Sequence, residues 1–570
     1  MGSLEAWAAS LGLAASGVVV VPALLVGAAP GRLRTLRALG RGAALTSGVA
    51  LGGVGAAAVW TRNAEAEYAA LSEDGLPLTY DPEGIAAFWS AHRKIALRRV
   101  GVIAARVVPF AAGMAVERLT VSGDEEKEVV QAARARGLRE LLTELGPTFI
   151  KFGQMLSIRP DVVPPVALAE LQKLCDAVPS YPTAEALALI EEELGAPAAT
   201  LFDGLESSTA PIAAASLGQV YRCRLKTGET VAVKVQRPDM LLAVSLDLYL
   251  LRKYMRCVDV YKKRVLTGIF GAADRKSFDV ALLDTFAQAS YRELDYVHEG
   301  KNQDRMAAYL SGGTVRVPAV HWAVSSRKVL ATEWIEGVQL AKSTPEVIRA
   351  LVPTGVDCFL AQLLQHGFFH SDPHPGNILV DGEGRLALID FGLCAEVDKM
   401  DSAAMTRAIV DLMRGDVEGL IEDAVALRFL PPDVDRATLL PALRKIFAKG
   451  ALAAEALARE EAELGTKSVR RKRRAQFIEV SNDLNRIFYE FPFAVPDYFA
   501  LITRALIVLE GIALTGDKDF DIFRASYPYA ARHAASVFGA GELATMLGAA
   551  AAAQRKGSGP GPGASQLVAG

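Results

Sequence analysis

Two aspartates and an asparagine lie close together in one short stretch of the sequence, HGFFHSDPHPGNILVDGEGRLALIDFG. Asp372 and Asn377 are five residues apart on a proline-stiffened loop, and Asp390 ends an apolar run, LALID. Phosphoryl transfer from ATP needs oxygen ligands for Mg²⁺, because this hard cation bridges the phosphates and offsets the charge that develops on them. The spacings D-x-x-x-x-N and D-F-G supply one amide and one carboxylate for the metal, Asn377 and Asp390. They also place a second carboxylate, Asp372, near the acceptor oxygen.

A histidine metal site is the alternative for this stretch. The spacing H-x-x-x-H brings two ligands together only on a continuous helix, and Pro373 and Pro375 prevent one here. The pattern therefore favours phosphate chemistry. The ligands of the alternative site would be His366, His370, Asp372 and His374.

A segment further upstream could hold the phosphates. Residues 213–220, AAASLGQV, align with the loop template G-x-G-x-x-G-x-V, with alanines at the first two glycine positions. A lysine follows in VAVK, where its ammonium can reach a phosphate as a point charge. The alternative is an ordinary hairpin with an exposed lysine. The residues expected to contact nucleotide here are Ala213, Ala214, Ala215, Ser216, Gly218, Val220 and Lys234.

This lysine needs a carboxylate to orient it. The segment YRELDYVHEGKN offers Glu293, Asp295 and Glu299, and the last two share a helix face because they are four residues apart. An acidic helix face is often simply solvated, which is the alternative. We expect the partner of Lys234 in this segment, since it has to lie on a helix between the lysine and Asp372.

The order of predicted elements limits which fold can position these residues. Residues 85–200 read mostly as helix, and residues 212–235 alternate polar and apolar side chains about a Thr-Gly turn, which is typical of a hairpin. Helical patterns at 239–310 and 344–367 flank short β-rich pieces, and residues 400–550 read as helix throughout. The sequence predicts helices, then a small β-rich lobe, then a large helical lobe with a polar loop between two strands.

Composition excludes some classes of protein. The 570 residues carry a net charge of -3, which gives no general case for a nucleic-acid partner, and 51% are hydrophobic, which hints at membrane contact. The five cysteines are scattered without C-x-x-C spacing, so neither a disulfide framework nor a zinc site is expected. A reducing compartment fits this cysteine pattern better than an oxidising one.

The first 63 residues differ from the rest of the chain. They contain one acid, Glu5, and two uncharged runs, 11–29 and 42–60, separated by an arginine-bearing insert. Each run is just long enough to span a bilayer. An organellar targeting segment, a membrane-associated segment and a loosely packed helical extension are the three interpretations. A basic cluster at 467–474 is interpreted first as a solvated helix end or loop and next as a contact with anionic lipid headgroups, with nuclear import and nucleic-acid contact as formal alternatives.

These motifs, together with KFGQ at 151–154, resemble the UbiB family, the aarF-domain atypical kinases. The resemblance covers about residues 140–430 and includes K-x-G-Q, the alanine-rich loop, V-A-V-K, E-L-D-Y, D-P-H-P-G-N and D-F-G in family order. Long stretches such as GPTFIKFGQMLSIRPDVVPP look like the cyanobacterial and plastid branch.

The resemblance implies a role for each residue of the phosphate motifs. Lys234 would pair with Glu299 and contact an ATP phosphate. Asn377 and Asp390 would bind the metals, and Asp372 would stand where protein kinases have their catalytic base. The family pattern thus favours these roles over the alternatives that spacing alone leaves open. Those are a histidine metal site, a hairpin with an exposed lysine and a solvated acidic helix face.

The resemblance also implies roles for residues that spacing alone does not single out. Lys151 and Gln154 would come from a family-specific helical extension that folds over the active site, with Glu293 and Asp295 nearby. By spacing alone these two side chains share a helix face and read as a solvated patch. The strand VLATEWIEG resembles the kinase hinge, so adenine is expected at the backbone groups of Glu333 and Ile335.

Two departures from ordinary protein kinases bear on the substrate. Ser371 replaces the arginine of H-R-D, so the usual pairing with an activation-loop phosphate has no partner. No A-P-E motif follows Asp390. These departures argue against phosphorylation of protein substrates in trans, and they leave nucleotide binding intact.

The fold expected is an α+β, protein-kinase-like bilobal domain with an N-terminal helical extension and a mostly helical C-lobe. The chain is expected to divide into five segments. These are a targeting or membrane-associated segment at 1–63, the extension with K-x-G-Q at 64–200, the N-lobe with inserted helices at 201–340, the C-lobe at 341–545 and a disordered tail at 546–570.

The function expected from the motifs and the resemblance is Mg²⁺-dependent binding of ATP or ADP with phosphotransfer or ATP hydrolysis. In the UbiB family this serves isoprenoid-quinone or related lipid metabolism at an organellar membrane. The alternatives are a nucleotide-gated scaffold of a lipid-biosynthetic complex and a true protein kinase.

The partners expected are a nucleotide, a lipid or quinone-related small molecule, a membrane surface and a protein complex of lipid biosynthesis, with no nucleic acid. The location expected is the plastid, at the chloroplast membrane or a lipid droplet, with the mitochondrion as the alternative. We expect four side chains, Lys234, Glu299, Asn377 and Asp390, to converge on one magnesium-bound triphosphate between two lobes.

Overall fold

The structure is a computed structural model, and it describes a defined part of the chain. The described residues are 73–120, 124–157, 163, 165–175, 180–205, 210–261, 280–449, 491, 493, 496–518, 520 and 522–538. The predicted segment 1–63, the basic cluster at 467–474 and the tail at 546–570 lie outside them. The chain divides into two compact units, one made of residues 1–300 and 320–334 and the other of residues 301–319 and 335–570. The predicted domain boundaries stay a prediction.

The first unit begins with helices whose ends follow local sequence signals. Asp81 accepts a hydrogen bond from the Glu83 backbone N–H and caps the first helix. Gly146, with φ 102°, separates two helices just before Pro147. Gly195 ends a later helix in the left-handed conformation. These helices are α1 Pro82–Ala91, α2 Arg93–Thr120, α3 Asp124–Leu145, α4 Pro147–Leu156, α5 Pro165–Leu171, α6 Thr183–Leu194 and α7 Ala198–Leu201.

Three longer helices follow, α8 Met240–Tyr261, α9 Val280–Glu293 and α10 Tyr296–Tyr309, and the residues of α10 from 301 onward belong to the second unit. The N-terminal helices join α8 through polar contacts as well as an apolar core. Trp89 Nε1 donates to Ser245 Oγ at 3.0 Å, and Arg99 contacts both carboxylate oxygens of Asp247 at 2.7 and 2.8 Å. The extension is therefore part of the first unit's packing.

Helix α4 packs closely through a glycine. A Cβ added at Gly153 would clash with Leu174 Cδ1 and lie 2.8 Å from Leu142 Cδ1. The two leucines belong to the surrounding core, so the glycine sets how near α4 comes to its neighbours.

The sheet of the first unit contains the predicted hairpin. The pattern of the strands alternates buried apolar side chains with side chains on the opposite face. β3 and β4 pair antiparallel with Val220 opposite Lys234, and Gly228 takes φ 103° in the turn. The strand order is β1-β3-β4-β6, with β2 also on β3. The strands are β1 Phe202–Asp203, β2 Ala213–Ala214, β3 Gly218–Leu225, β4 Thr230–Gln236 and β6 Val329–Glu333.

The second unit has two small sheets and a larger share of helix. One sheet has the order β5-β10-β9-β7 and the other pairs β11 with β8. The strands are β5 Val315–Arg316, β7 Gly337–Gln339, β8 Phe368–His370, β9 Ile378–Asp381, β10 Leu386–Leu388 and β11 Cys394–Glu396. The helices are α11 Pro345–Leu360, α12 Lys399–Arg414, α13 Val417–Ala426, α14 Asp497–Gly516 and α15 Ile522–Phe538, and residues 436–449 are also helical.

Helix α11 runs into a π-helical turn, Ala361–His366, before β8. The side chain of Gln362 in this turn accepts the His370 backbone N–H at 2.9 Å. Pro345–His366 is one helix among the described residues that is apolar and long enough to cross a membrane, and 44% of the tested segment is buried. Its Val352 and Phe359 lie in the core of the second unit, which is the pattern of a core helix.

The elements confirm an α+β protein with helices before the first sheet and a mostly helical second part. The helical patterns predicted over 85–200, 239–310 and 344–367 correspond mostly to helices where the structure describes these ranges. The predicted helical pattern over 400–550 falls partly on residues that are not described.

The packing of Gly153 predicts opposite results for two glycine-to-alanine changes. Gly153→Ala should destabilise the protein by about 1–2 kcal/mol, because overpacking outweighs the gain in helix propensity. Gly355→Ala on α11 is the matched control, since its Cβ would meet only Leu386 Cδ1, at 3.6 Å. That change should stabilise the protein by about 0.5–1 kcal/mol. Urea unfolding of both variants measures this, and equal effects would contradict the packing argument.

The acid cluster between α12 and α13 predicts a pH-dependent stability. Burial, together with the Asp416 and Asp423 carboxylates, raises the pKa of Asp411 from 3.8 to about 6. The folded state thus favours the protonated form, and stability falls as the pH rises through about 6. Asp411→Asn should raise the melting temperature by a few degrees at pH 8, and the gain should vanish below about pH 4.

Thermal unfolding from pH 3.5 to 8 measures this difference. Asp433→Asn, at an exposed position of the second unit, is the control for the loss of one negative charge. A gain for Asp411→Asn that is constant over the whole pH range would be incompatible with the raised pKa.

Candidate functional site

Lys234 and Glu299 form an ion pair in the first unit. Alternation along β4 buries Val233 and Val235 in the sheet core and puts Lys234 on the other face. Its ammonium lies 2.8 Å from both carboxylate oxygens of Glu299, near the start of α10. The side chains are 22% and 7% exposed, so the pair is largely shielded from water. The Lys234 ammonium also lies 5.0 Å from the centre of the Tyr296 ring.

The other acids of this segment have different partners. Asp295 accepts the Val297 backbone N–H at 3.0 Å and so caps the start of α10. Glu293, at the end of α9, forms an ion pair with Lys151 of α4. Among the three candidate carboxylates, Glu299 is therefore the one that contacts Lys234.

The alanine-rich segment forms a tight hairpin edge. Ala213 pairs with Val220 across β2 and β3, and the Ala215 backbone N–H donates to Gly218 O at 2.7 Å. Ala215 O in turn accepts from the guanidinium of Arg237, at 3.2 and 3.3 Å. The Ala215 N–H is thus engaged within the turn.

Close packing explains why a glycine occupies position 218 of this segment. A Cβ at Gly218 would lie 2.5 Å from Val235 O and 2.5 Å from the Tyr296 hydroxyl. Ser216, in the turn itself, is buried. The position at 218 accepts only glycine because β4 and α10 approach it closely.

The K-x-G-Q side chains are held by contacts within the first unit. Lys151 is 20% exposed and is paired with Glu293, which is 13% exposed. Gln154 Nε2 donates to Leu174 O at 3.2 Å. The solvated patch that spacing alone suggests is wrong for Lys151 and Gln154, because both residues have protein partners and limited exposure.

In the second unit, strand pairing places Asp372 and the D-F-G segment at one end of a ribbon. β8 and β11 pair antiparallel with His370 opposite Cys394. The Ser371 N–H and hydroxyl both donate to Leu393 O, at 3.0 Å each. Asp372 and Gly392 therefore continue from the same end of these two strands.

A second strand pair places Asn377 and Asp390 at one end of a hairpin. β9 pairs with β10, with Ile378 opposite Leu388, and the Ile389 N–H donates to Asn377 O at 3.2 Å. Asn377 and Asp390 thus flank the open end of this hairpin, away from its turn.

Asp390 is fixed by the turn that follows it. Its Oδ1 accepts the Gly392 N–H at 3.0 Å, and Phe391 is fully buried beside His370, with ring centres 5.7 Å apart. Asn302 Nδ2 donates to Phe391 O at 3.1 Å. Among the side chains placed here, the carboxylate of Asp390 and the amide oxygen of Asn377 are hard oxygen donors of the kind Mg²⁺ prefers, so they fit that cation.

The three histidines of this stretch have separate environments. His366 stacks on Tyr309 with ring centres 4.4 Å apart, and His374 Nδ1 accepts the Gly376 N–H at 3.1 Å. Burial lowers the pKa of His370, whose Nδ1 accepts the Asp372 N–H at 3.1 Å. Within the described part of the chain, no group of three or more His, Cys, Asp or Glu residues is placed to hold a metal ion.

Asp372 has a cationic neighbour that the sequence analysis missed. Arg504 Nη2, on α14, lies 2.7 Å from Asp372 Oδ1, and the two side chains are 17% and 24% exposed. One signal was available, since Arg504 is the single basic residue of the apolar α14 sequence DYFALITRALIVLEGIALTG. Nothing in that signal indicated which acid it would meet.

The proposed adenine contacts lie at the end of β6 and beyond it. Glu333 is opposite Val231 in the sheet of the first unit, and the Trp334 N–H donates to Thr230 O at 3.0 Å. Ile335 is buried and belongs to the second unit. Their contact with adenine stays a prediction.

Comparison with known proteins gives consistent matches. The family described as the ABC1 atypical kinase-like domain matches residues 173–424. A chloroplastic protein of Arabidopsis thaliana, ACTIVITY OF BC1 COMPLEX KINASE 3, is 41% identical over 460 residues, covering 80% of this chain and 60% of that protein. An uncharacterized protein of Synechocystis is 41% identical over 461 residues, covering 80% of this chain and 63% of its own length. The chain thus spans less than two thirds of these two relatives.

A second Synechocystis protein is 40% identical over 417 residues, covering 71% of this chain and 68% of its own length. A solved complex of a Mycobacterium tuberculosis protein with erythromycin matches 58% of this chain and 82% of its own, with 24% identity and a TM-score of 0.40. The family match and the α+β elements together confirm the kinase-like fold. The chain belongs to the ABC1, or aarF-domain, family of atypical kinase-like proteins, in the branch of its plastid and cyanobacterial relatives.

Proposed function

We propose that the chain binds magnesium ATP or ADP and catalyses phosphotransfer or ATP hydrolysis. The observation that carries this proposal is the ion pair of Lys234 with Glu299, which presents an oriented ammonium on the polar face of β4. An ammonium held in this way suits a phosphate oxygen, because it supplies a point charge that needs little further ordering on binding.

The loop residues of the second unit supply the remaining chemistry of the proposal. Asn377 and Asp390 would hold Mg²⁺, which supplies positive charge to the phosphates when it is bound. Asp372 would accept the proton of the attacking hydroxyl or water. Gln154 and Lys151 would act from the helical extension, and Ala213, Ala214, Ala215, Ser216, Gly218 and Val220 would line the phosphates.

The biological setting is proposed from the relatives. ACTIVITY OF BC1 COMPLEX KINASE proteins of Arabidopsis thaliana are chloroplastic, and their name links them to a BC1 complex. We place this chain in the plastid, at a membrane or lipid droplet, with the mitochondrion as the alternative. Its role there would be in isoprenoid-quinone or related lipid metabolism, in contact with a lipid, a membrane surface and a biosynthetic complex.

One observation favours a second candidate function, a nucleotide-gated scaffold. The Ala215 N–H is engaged by Gly218 O, so this donor of the alanine-rich turn is not free for a phosphate. A protein of this kind would bind nucleotide and organise a lipid-biosynthetic complex with little turnover. A true protein kinase is less well supported, since Ser371 stands in the arginine position of H-R-D and no A-P-E follows.

The ion pair predicts a specific loss of nucleotide affinity. Glu299→Gln removes the charge that holds Lys234, so the dissociation constant for magnesium ADP should rise about tenfold or more, the equivalent of at least ~1.4 kcal/mol. Isothermal titration measures it. Asp203→Asn, which disrupts the exposed Lys226–Asp203 pair of the same unit, is the control and should leave affinity unchanged. Equal affinities for Glu299→Gln and wild type would contradict the role of the pair.

The metal site predicts the decisive result for the function. Asp390→Asn should abolish Mg²⁺-dependent turnover, because the amide removes the anionic ligand. The measurement is phosphate release from ATP by the full chain, with and without liposomes that contain quinone-like lipids. Asp433→Asn is the surface control. The proposal fails if wild type neither binds nor turns over magnesium nucleotide, or if Asp390→Asn behaves like wild type.

A single-turnover experiment with Asp372→Ala separates the enzyme from the scaffold. If Asp372 is the base, the variant should still bind nucleotide and release phosphate at least 100-fold more slowly than wild type. A scaffold would show the same slow release for both proteins.

A further inference from the structure

We propose that Arg504 is a positioning residue that holds Asp372 in its working orientation. This inference rests on the proposed function, because it assigns a role to the neighbour of the proposed base. The contact joins Arg504 Nη2 and Asp372 Oδ1 at 2.7 Å within the second unit. It is an ion pair by distance and not a directed hydrogen bond.

The surroundings of Arg504 make its charge costly without a partner. Apart from Thr503, its neighbours within one turn of α14 are apolar, and Ile502 and Ala505 are buried in the core. The Arg504 side chain itself is only 17% exposed. A guanidinium in such a place loses much of its hydration, and a carboxylate close by offsets that loss. Asp372 is the acid that the structure places there.

The packing of α14 makes this guanidinium a fixed support. Ile512 and Leu509, on the same helix, belong to the core that also contains Val356 of α11. A charge carried by a packed helix needs no reorganisation when the reaction begins, unlike a charge on a surface loop. Arg504 therefore offers Asp372 a stationary counter-charge.

The geometry engages one oxygen of the carboxylate. Oδ1 contacts Arg504, while the Asp372 backbone N–H donates to His370 Nδ1 at 3.1 Å. The side chain and the backbone of the aspartate are thus anchored by different elements, α14 and β8. With Oδ1 held, Oδ2 is the atom we assign to the acceptor hydroxyl or water.

The opposite interpretation is that the guanidinium blocks the base. An arginine that must leave before Asp372 can act would slow turnover, and removing it would raise the rate. An arginine that positions the base would lower the rate when it is removed. The direction of the rate change therefore distinguishes the two roles.

The test uses Arg504→Met, Arg504→Lys and Asp372→Asn in the full chain, with the double variant Asp372→Asn/Arg504→Met. Arg504→Met should lower kcat for phosphate release 10–100-fold and change KM for ATP less than threefold. Arg504→Lys should recover part of the loss, because it keeps the charge. In the Asp372→Asn background, Arg504→Met should cause no further loss, since its effect passes through the carboxylate.

A matched control comes from the same unit. Arg532 of α15 pairs with Asp357 at 3.0 Å, but the two side chains are 64% and 47% exposed. Arg532→Met should leave kcat, KM and the melting temperature close to wild type, because exposed pairs contribute little. A kcat loss for Arg504→Met that is no larger than for Arg532→Met would overturn the proposal, and so would a rise in kcat.

Thermal unfolding of wild type, Arg504→Met, Asp372→Asn and the double variant gives a readout that needs no turnover. Each single variant leaves one charge of the pair without its partner, so the double variant should be no less stable than the worse single variant. Additive losses would overturn the proposal. If wild type shows no turnover at all, the proposed function fails, and the unfolding cycle alone then decides whether Arg504 and Asp372 are coupled.

Discussion

The ion pair between Lys234 and Glu299 is the interaction on which the proposed nucleotide chemistry depends. Both charges are largely withdrawn from water, and their mutual attraction offsets part of the lost hydration. The alternation of β4 decides on which face of the sheet the ammonium lies, and the cap at Asp295 fixes where α10 begins and hence where Glu299 lies. An uncharged replacement on either side would leave a poorly hydrated charge, which costs about 3–5 kcal/mol in buried pairs.

The second unit positions its acids by another means, the register of backbone strands. The pairing of β8 with β11 fixes Asp372 beside the D-F-G segment, and the pairing of β9 with β10 fixes Asn377 beside Ile389. Backbone hydrogen bonds carry this arrangement. The side chains of the loop are thus not needed to hold the strands together and can serve the chemistry. The fully buried Phe391 anchors the D-F-G segment in the core of the second unit.

Much of the fold and of the candidate site was predictable because it follows from local sequence patterns. Period-two alternation predicts β3 and β4, glycines mark the ends of α3 and α6, and the motif order predicts the kinase-like fold. The partner of Lys234 was expected in the segment YRELDYVHEGKN, which offers Glu293, Asp295 and Glu299. The family resemblance then selected one of them.

The features that spacing alone misses depend on contacts between residues far apart in sequence. By spacing Lys151 reads as solvated, the family resemblance puts Glu293 near it, and the packing of α4 near the end of α9 brings the two side chains together. Arg504 stands in an apolar helix well beyond the motif region, and no spacing rule links it to Asp372. Local periodicity carries no information on these long-range contacts, because they depend on how whole helices pack.

The π-helical turn at Ala361–His366 makes the number of residues before β8 a structural quantity in its own right. A π turn holds one residue more than an α-helical turn. Deleting one residue there would leave an ordinary α-helical turn and need not rotate α11, but it would remove the widened turn from which Gln362 reaches the His370 backbone N–H. The extra residue of this turn thus serves the connection between the end of α11 and β8.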